Sequence, residues 1–428
     1  MSTRILPNNR KPGFIQPGDK ALQRLLDATG SFPPMGLQIR PLDKKKKASV
    51  LNRFLSYKFT QSILIPVDTF SFSFASPDSS KPITDSFQDG DIAVLKANDV
   101  QLATGIIDSV EMDVDADSGE RVTVNGRDLL SQFEDQDAVS IDQTPIWVNN
   151  TTIKNAANLL RDNTRIPGVK LRDAPTGTYI FATEPGETKL SALQRFCEPL
   201  NVVYYTDPQG YLVIGRPRMN QASKGAIFVS KADRASNVMS IRAIHSATTI
   251  PNIILPIWSG QEGFQKNLKE QAVSNVAPGP KRLRLAGHTL QKTVVISNPQ
   301  GSDPQAYAVL NTLNIAAGKN GLDVKSDLVK NNKPTPLGSN IVQAYAKREL
   351  ARANHQELIV QVMVAGHYND KAEPYVVDTV YDVYFDRAGV SERMYLFQVD
   401  YEMDESGGQR SALYFCRLGT IVSDVRAP

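Results

Sequence analysis

The sequence predicts a mainly β protein with an α+β insertion, and three stretches carry that prediction. From Tyr57 to Asn125, short β-branched and aromatic runs recur at regular spacing between turn residues. From Glu357 to Leu418 the same pattern returns. Between them, Thr183 to Gly215 reads TEPGETKLSALQRFCEPLNVVYYTDPQGYLVIG, a helix followed by a hairpin. Thr188 caps that helix, Leu190, Leu193, Cys197 and Leu200 share one face, and Pro199 ends it by removing a donor. Val202 to Tyr205 and Tyr211 to Ile214 form the hairpin, and Asp207, Pro208, Gln209 and Gly210 suit the positions of a type I turn. The unit packs a helix on a hairpin, and nothing in it is built for chemistry.

The 428 residues leave room for about two to four domains with their own cores. A net charge of +3 is too small a field to imply nucleic acid as the main partner. Cys197 and Cys416 fall in a predicted helix and a predicted strand, as small buried hydrophobes, so a reducing compartment at synthesis is expected rather than a disulfide scaffold. The N-terminus MSTRILPNNRKPGF lacks the apolar core of a signal peptide, and secretion by that route is not expected. No apolar run approaches the roughly 20 residues needed to span a bilayer, so no membrane segment is expected.

In chain order, residues 1–56 read as an extension or docking arm without a core of its own, around one short helix at Lys20 to Ala28. The basic run Lys44 to Lys47 reads as a solvated linker, since no aromatic or Arg residues interleave it for nucleic acid. An arm that orders on a neighbouring subunit is the further reading. Residues 57–143 form the first β unit, a small antiparallel barrel or sandwich. Its strands are Tyr57 to Ile65, Thr69 to Ala75 with Phe70, Phe72 and Phe74 alternating, Asp91 to Leu95, Gln101 to Met112 and Arg121 to Asn125. A helical turn from Asp128 to Phe133 follows.

Residues 144–225 form an α/β domain in which Asn150 or Thr151 caps a helix through Leu160. Residues 226–338 return to strands at Ser240 to Ser246 and Asn252 to Trp258, and Ser259-Gly260-Gln261 faintly echoes Asn125-Gly126-Arg127 as the end of a second barrel. Their remainder is irregular, with one helix at Pro304 to Ala317. Residues 339–428 supply a helix from Ile341 to about Asn354 and an antiparallel sheet, Glu357 to Val364, Val376 to Phe385, Arg393 to Met403 and Ser411 to Leu418.

A search for chemistry finds little. His245, His288, His355 and His367 are dispersed and match no zinc spacing, and no GxSxG elbow, phosphate loop or dinucleotide fingerprint occurs. The acidic clusters Asp113 to Asp117 and Asp400 to Glu405 read as solvated hairpin tips. The spacing in Asp113 to Gly119 is calcium-like but lacks the Glu that completes such a loop. Trp147 and Trp258 sit among apolar neighbours and are expected in the core, not on a sugar-binding platform. No catalytic, cofactor-binding or metal residue is assigned, and no cofactor is expected.

Several residues, in their shared order, resemble the baseplate hub proteins of contractile-tailed phages, the Mu-like and late-control-D group related to the hub domain of type VI secretion spike proteins. They are Gly90-Asp91 opening a strand, Thr104-Gly105 before Ile106-Ile107-Asp108, the stretch VTVNGRD from Val122 to Asp128, and Pro185-Gly186-Glu187-Thr188 with its helix and hairpin. Ala346-Lys347-Arg348-Glu349 and the strand ending Val364-Ala365-Gly366 continue the match, which covers most of Tyr57 to Val425. The resemblance implies two small antiparallel β-barrels per chain plus the α/β domain, and a homotrimer whose six barrels make a pseudo-sixfold ring. It implies a structural, non-enzymatic role in the virion, after assembly in the host cytoplasm. The implied partners are the tail tube on one face and the central spike on the other, with the tape measure or neighbouring baseplate proteins at the N-terminal arm. A channel that passes DNA should not be strongly basic, and the near-balanced charge is compatible with that. The rival readings are the hub of a type VI or bacteriocin-like injection machine and, from a different class, a tail-tip cell-wall hydrolase.

Overall fold

The computed structural model describes residues 35–42, 48–75, 87–97, 100–115, 119–139, 144–174, 176–197, 200, 202–229, 238–245, 253–259, 291–297, 358–404 and 407–418. Thirteen strands are hydrogen-bonded into one sheet, and no pairing among the described residues closes a barrel. Its first half is β1 (Met35–Arg40), β2 (Ser49–Leu51), β3 (Ser56–Ser62), β4 (Thr69–Ala75), β5 (Ile92–Ala97), β6 (Val100–Asp115) and β7 (Gly119–Asp128), in the spatial order β3-β4-β7-β6-β5-β1-β2. A short helix, α1 (Ser131–Glu134), ends this half.

The alternation read from the sequence is what builds it. Phe70, Phe72 and Phe74 are all buried while the intervening Ser71 and Ser73 are not, because successive side chains of a strand point to opposite faces. Phe72 lies opposite Val124 and Phe74 opposite Val122, so aromatic and β-branched residues meet across the ladder. Each such side chain, fully buried, contributes about 1.5–3 kcal/mol before entropy.

Residues 35–40 correct the expectation of an arm through residue 56, for the part the structure describes. Met35, Leu37 and Ile39 are fully buried and β1 is an inner strand, paired with β5 on one side and β2 on the other. The period of two in MGLQIR was present, but Pro33-Pro34 and Pro41 bound it so closely that the run reads as irregular. The sequence-predicted helices at 20–28, 304–317 and 341–354 and the basic run 44–47 lie outside the described residues.

The insertion follows as β8 (Trp147–Thr151), α2 (Ile153–Arg161), β9 (Val169–Arg172), β10 (Tyr179–Ala182), α3 (Lys189–Cys197), β11 (Val203–Thr206) and β12 (Leu212–Gly215). Strands β8 and β10 pair with each other, and β9 joins β12 in parallel beside the expected β11–β12 hairpin. Helix α2 is capped by Thr152, whose hydroxyl accepts from Asn155 N at 3.2 Å, one residue later than expected. Leu193, Phe196 and Cys197 of α3 pack with Leu160, Leu212 and Ile214 in a second core, separate from that of the large sheet. The expected turn is present: Gly210 N donates to Asp207 O at 2.8 Å, with Gly210 at φ +86°. Trp147 is not in the core; it is 62% exposed. Its apolar neighbours Ile146 and Val148 face inward, so strand alternation turns Trp147 outward.

The second half of the sheet contains β13 (Ala226–Val229), β14 (Val238–His245), β17 (Leu358–Ala365), β18 (Thr379–Phe385), β19 (Val390–Asp404) and β20 (Gly408–Arg417). Leu358, Val360, Val362 and Val364 of β17 are buried, as their alternation predicts. A separate parallel ribbon joins β15 (Ile253–Ser259) to β16 (Gln291–Ser297). Strand β19 links the halves: on one edge its first part pairs β18 and its last part pairs β3, while β20 runs along the other edge. Asp400 lies inside this strand, 8% exposed, rather than at a hairpin tip, and its carboxylate accepts from Tyr414 OH and Gln398 Nε2, both at 3.0 Å.

Where β4, β6 and β7 cross, Gly105 and Gly126 let the Phe70 ring lie against bare backbone. A Cβ on Gly126 would collide with the Ile106 carbonyl and with that ring. Gly126→Ala should therefore lower stability by about 1–3 kcal/mol or prevent folding, whereas Gly36→Ala, whose nearest neighbour would be 3.8 Å away, should be close to neutral. Thermal unfolding of the two variants decides it, and equal melting temperatures would overturn the packing argument.

Candidate functional site

Most of the residues that carried the family resemblance lie where the insertion docks on the first half of the sheet, while Val364-Ala365-Gly366 ends β17 in the second half. In VTVNGRD, Asn125 reaches across to Ser109 Oγ at 3.3 Å and Glu111 Oε1 at 3.1 Å. Arg127 binds Asp108 through two bonds of 2.7 and 3.2 Å and Asp135 through two of 3.1 and 2.8 Å, which straps α1 to β6. Bonds to Asp108 and then to Asp135 raise the Arg127 pKa further above its ordinary value.

Asp128 is the buried end of the motif. Its carboxylate accepts from Leu130 N at 3.2 Å and from Thr206 Oγ1 at 2.5 Å, so it ties β7 to β11 of the insertion. Asp68 lies beside it: the Asp68 carbonyl accepts from Asp128 N at 2.9 Å, and its carboxylate accepts from Ser62 N at 2.9 Å. Burial pushes the Asp128 carboxyl up to about 7. Burial first, and then repulsion from Asp128, holds Asp68 well above the usual carboxylate range.

The hairpin tip completes the contact. Thr104 Oγ1 and Gln101 Nε2 donate to Pro208 O at 2.8 and 2.7 Å. At the other end of β5, Arg165 of the insertion donates to Gly90 O, while Arg165 N donates to Gln132 Oε1 at 2.6 Å. Asp91 accepts from Leu42 N at 2.9 Å and from Gln88 N at 3.1 Å, which fixes the strand opening. In the Pro185-to-Thr188 stretch, Gly186 takes φ +76°, Glu187 holds Arg195 at 2.7 Å and Thr188 Oγ1 accepts from Ser191 N at 3.2 Å. Each of these stretches thus has a structural task. Residues 346–349 lie outside the described residues.

A second junction, which the sequence did not reveal, holds the insertion to the other half. Asp378, with φ +60° and its side chain 3% exposed, accepts from Arg218 Nε at 2.7 Å, Arg172 Nη1 at 3.0 Å, Tyr395 OH at 2.6 Å and Tyr205 OH at 3.0 Å. These donors come from β9, β11, β19 and the segment after β12. No periodic signal marks Asp378, since all of its partners are distant in sequence.

A third cluster has the look of nucleophilic chemistry. His367 Nδ1 lies 2.8 Å from Ser411 Oγ, and Nε2 lies 2.5 Å from Tyr57 OH. His367 and Ser411 are both fully buried, and the serine hydroxyl donates to Gly366 O at 2.9 Å. Burial lowers the His367 pKa to about 3, so the ring is neutral at pH 7. A nucleophile and base enclosed in this way reach no substrate. Cys197 and Cys416 are free and buried, as expected, and burial pushes the Cys197 thiol up, away from reactivity. Among the described residues no group of three or more His, Cys, Asp or Glu side chains is placed to hold a metal, and no helix is long and apolar enough to cross a membrane.

The fold defined by these two junctions is that of phage tail proteins, as the resemblance implied. The tail protein from Neisseria meningitidis MC58 superposes with a TM-score of 0.64 at 17% identity, over 90% of this chain and 98% of that one. The 43 kDa tail protein of prophage MuSo2 from Shewanella oneidensis gives 0.63 at 14% identity, over 90% and 99%. The E. coli c3393 protein, a type VI secretion component described as similar to the bacteriophage T4 tail proteins gp27 and gp5, gives 0.50 at 10% identity, over 89% and 76%. No family model and no curated protein sequence matches the chain.

Two predictions follow from the junctions. Replacing Asp378 with Ala strands Arg172 and Arg218 and leaves two tyrosines without their acceptor. Limited proteolysis should then release the insertion while the sheet stays resistant, and the expected loss of stability is about 2–3 kcal/mol, because the arginines are part-exposed. A single cooperative transition at the wild-type temperature would refute it. For Asp128 the folded pKa lies above the unfolded value of 3.8, so the folded state binds the extra proton between the two. That contribution is complete below about pH 4 and is lost as pH rises through about 7. Asp128→Asn should show a smaller fall in melting temperature than wild type across that window, and parallel profiles would sink the assignment.

Proposed function

We infer that the chain is the structural hub of a contractile phage tail baseplate. Three copies form a ring in which the two halves of the sheet act as two barrel-like units, giving pseudo-sixfold symmetry on one face. The ring joins the sixfold tail tube to the threefold central spike and lines the channel through which DNA leaves. It works as part of the virion, after assembly in the host cytoplasm. The residues before β1 contact the tape measure or a neighbouring baseplate protein.

The observation that supports this reading best is the match over 90% of this chain to two phage tail proteins, covering 98% and 99% of them. The internal organisation agrees with it, since two half-sheets share one strand and an insertion is bolted to both. The described polar clusters serve those junctions, which favours a non-enzymatic role over a cell-wall hydrolase. The likeness to a type VI secretion component keeps the hub of such a machine as the second reading, because one ring geometry serves both.

Light scattering of the purified chain, with negative-stain images of the same sample, tests the proposal. The expected result is a trimer seen as a ring with a central hole. A monomer at all concentrations, together with clearing of peptidoglycan in a zymogram, would overturn it in favour of the hydrolase.

A further inference from the structure

The two junctions of the insertion are built from opposite electrostatics. At Asp378 a buried carboxylate faces two guanidinium groups, Arg218 Nε at 2.7 Å and Arg172 Nη1 at 3.0 Å, so charge meets charge. At Asp128 two carboxyl groups are buried side by side, Asp68 being 6% and Asp128 2% exposed. Their donors are neutral. The Asp68 carboxylate takes the Ser62 amide at 2.9 Å, and the Asp128 carboxylate takes the Leu130 amide at 3.2 Å and the Thr206 hydroxyl at 2.5 Å.

The charged groups around the pair are engaged elsewhere. Arg127, next in the chain, lies on the opposite face of β7 with Asp108, Glu134 and Asp135. Asp207, next to Thr206, holds Lys170 at 2.5 Å. Tyr401 of β19 feels the Asp68 charge, and burial first, then Tyr381 and Asp68, raise its pKa well above the ordinary value, so it stays neutral. Among the described residues no cation is bonded to either carboxyl group.

Two carboxyl groups shut off from water and without a cation do not both ionise, since each charge forfeits its hydration and repels the other. The pair therefore holds a proton in the docked arrangement that it would surrender in water. What this proton secures is a seam. The Asp128 side chain joins β7 to Thr206 of β11, and Asp128 N donates to the Asp68 carbonyl at 2.9 Å. Beside them Gly210 of the β11–β12 turn lies against the first half, where a Cβ would come within 2.5 Å of Leu129 Cδ1 and 3.4 Å of Thr104 Cβ. Water reaches a second charge only if these elements part.

We propose that the seam between β7 and β11 is a proton-held latch, closed while the Asp68–Asp128 pair carries a proton and opening locally when that proton leaves, with the insertion still fastened to the second half through Asp378. The opening is local because Ile106, Leu129, Leu130 and Phe133 remain in the core of the insertion. The closed seam binds more protons than the open one. Closure is therefore most favourable below the unfolded value of 3.8, and it weakens as pH rises through about 7 for Asp128 and higher still as Asp68 ionises. The latch gives the insertion two settings against the first half-sheet while the β19 ladder stays intact. It goes beyond the hub reading and does not depend on it.

Hydrogen–deuterium exchange of the full chain, read by mass spectrometry at pH 5 and pH 8 and corrected for the intrinsic exchange rate, tests the latch. From the lower pH to the higher, peptides covering Val124 to Phe133 and Val203 to Leu212 should lose protection by about tenfold or more, while peptides covering Val376 to Val383 keep theirs. The response should shrink in Asp128→Asn and vanish when Asp68→Asn is added, because the amides carry no charge at either pH. Equal loss of protection at both junctions would mean general unfolding and overturns the latch. So does unchanged protection at the seam, or a folded double variant that keeps the wild-type response. The wild-type comparison needs no variant, so it decides the matter even where a substitution prevents folding.

Discussion

The structure depends on one strand being a member of two half-sheets. Across its 15 residues β19 changes partners on one edge, from β18 to β3, while β20 holds the other edge from Met394 onward. The register shift between Leu396 and Gln398 falls where the partner changes. Such a shift lets a strand bend without giving up its ladder. Met394, Tyr395, Leu396 and Phe397 are buried in succession, so both faces of the strand are covered at the crossing. The two halves therefore cannot move as separate domains without breaking that ladder.

The buried polar groups make sense against that constraint. Hydrophobic packing is tolerant of small shifts, whereas a buried carboxylate with four or five donors has one satisfactory arrangement. Asp378 takes donors from two elements of the insertion and from β19, and Asp128 takes one from β11 while its backbone binds Asp68. Between them they fix the insertion against both halves. Such groups are costly to bury, and swapping them for well-packed apolar residues is often neutral or stabilising. Their value here is in setting geometry. His367, enclosed between Tyr57 of β3 and Ser411 of β20, does the same at the crossing of the halves. A serine beside a histidine signals catalysis only where a substrate can reach it.

Much of the fold was legible because it rests on period-two burial. The β4 phenylalanines, the β17 aliphatics and the β11–β12 turn with Gly210 could be read directly. The local pattern misleads where tertiary packing overrides that rule. Trp147 has apolar neighbours in sequence, but adjacent residues in a strand face opposite ways, and it is exposed. Leu190 belongs to the helical face of α3 by spacing, yet Ala192 and Phe196 fill the core there and Leu190 is only half-buried. Lys189 is buried through bonds to Gln136 Oε1 at 2.7 Å and Asp162 O at 2.6 Å, and burial lowers its pKa; no local pattern announces such a lysine. The junction residues are partly visible, since VTVNGRD stands out as a motif, but its meaning lies in contacts more than 70 residues away, as between Asp128 and Thr206. Asp378 and Asp68 left no trace of that kind.

The crossing of the halves is held by side chains as well as by backbone. Here the insertion is fastened to the first half through Asp128, Thr104 and Arg165 and to the second through Asp378, bridging the same crossing that β19 makes through the backbone. Two independent links across one boundary resist bending in more directions than either does alone. At the edges of the sheet, short strands such as β2, with 3 residues, and β13, with 4, carry the least ladder energy.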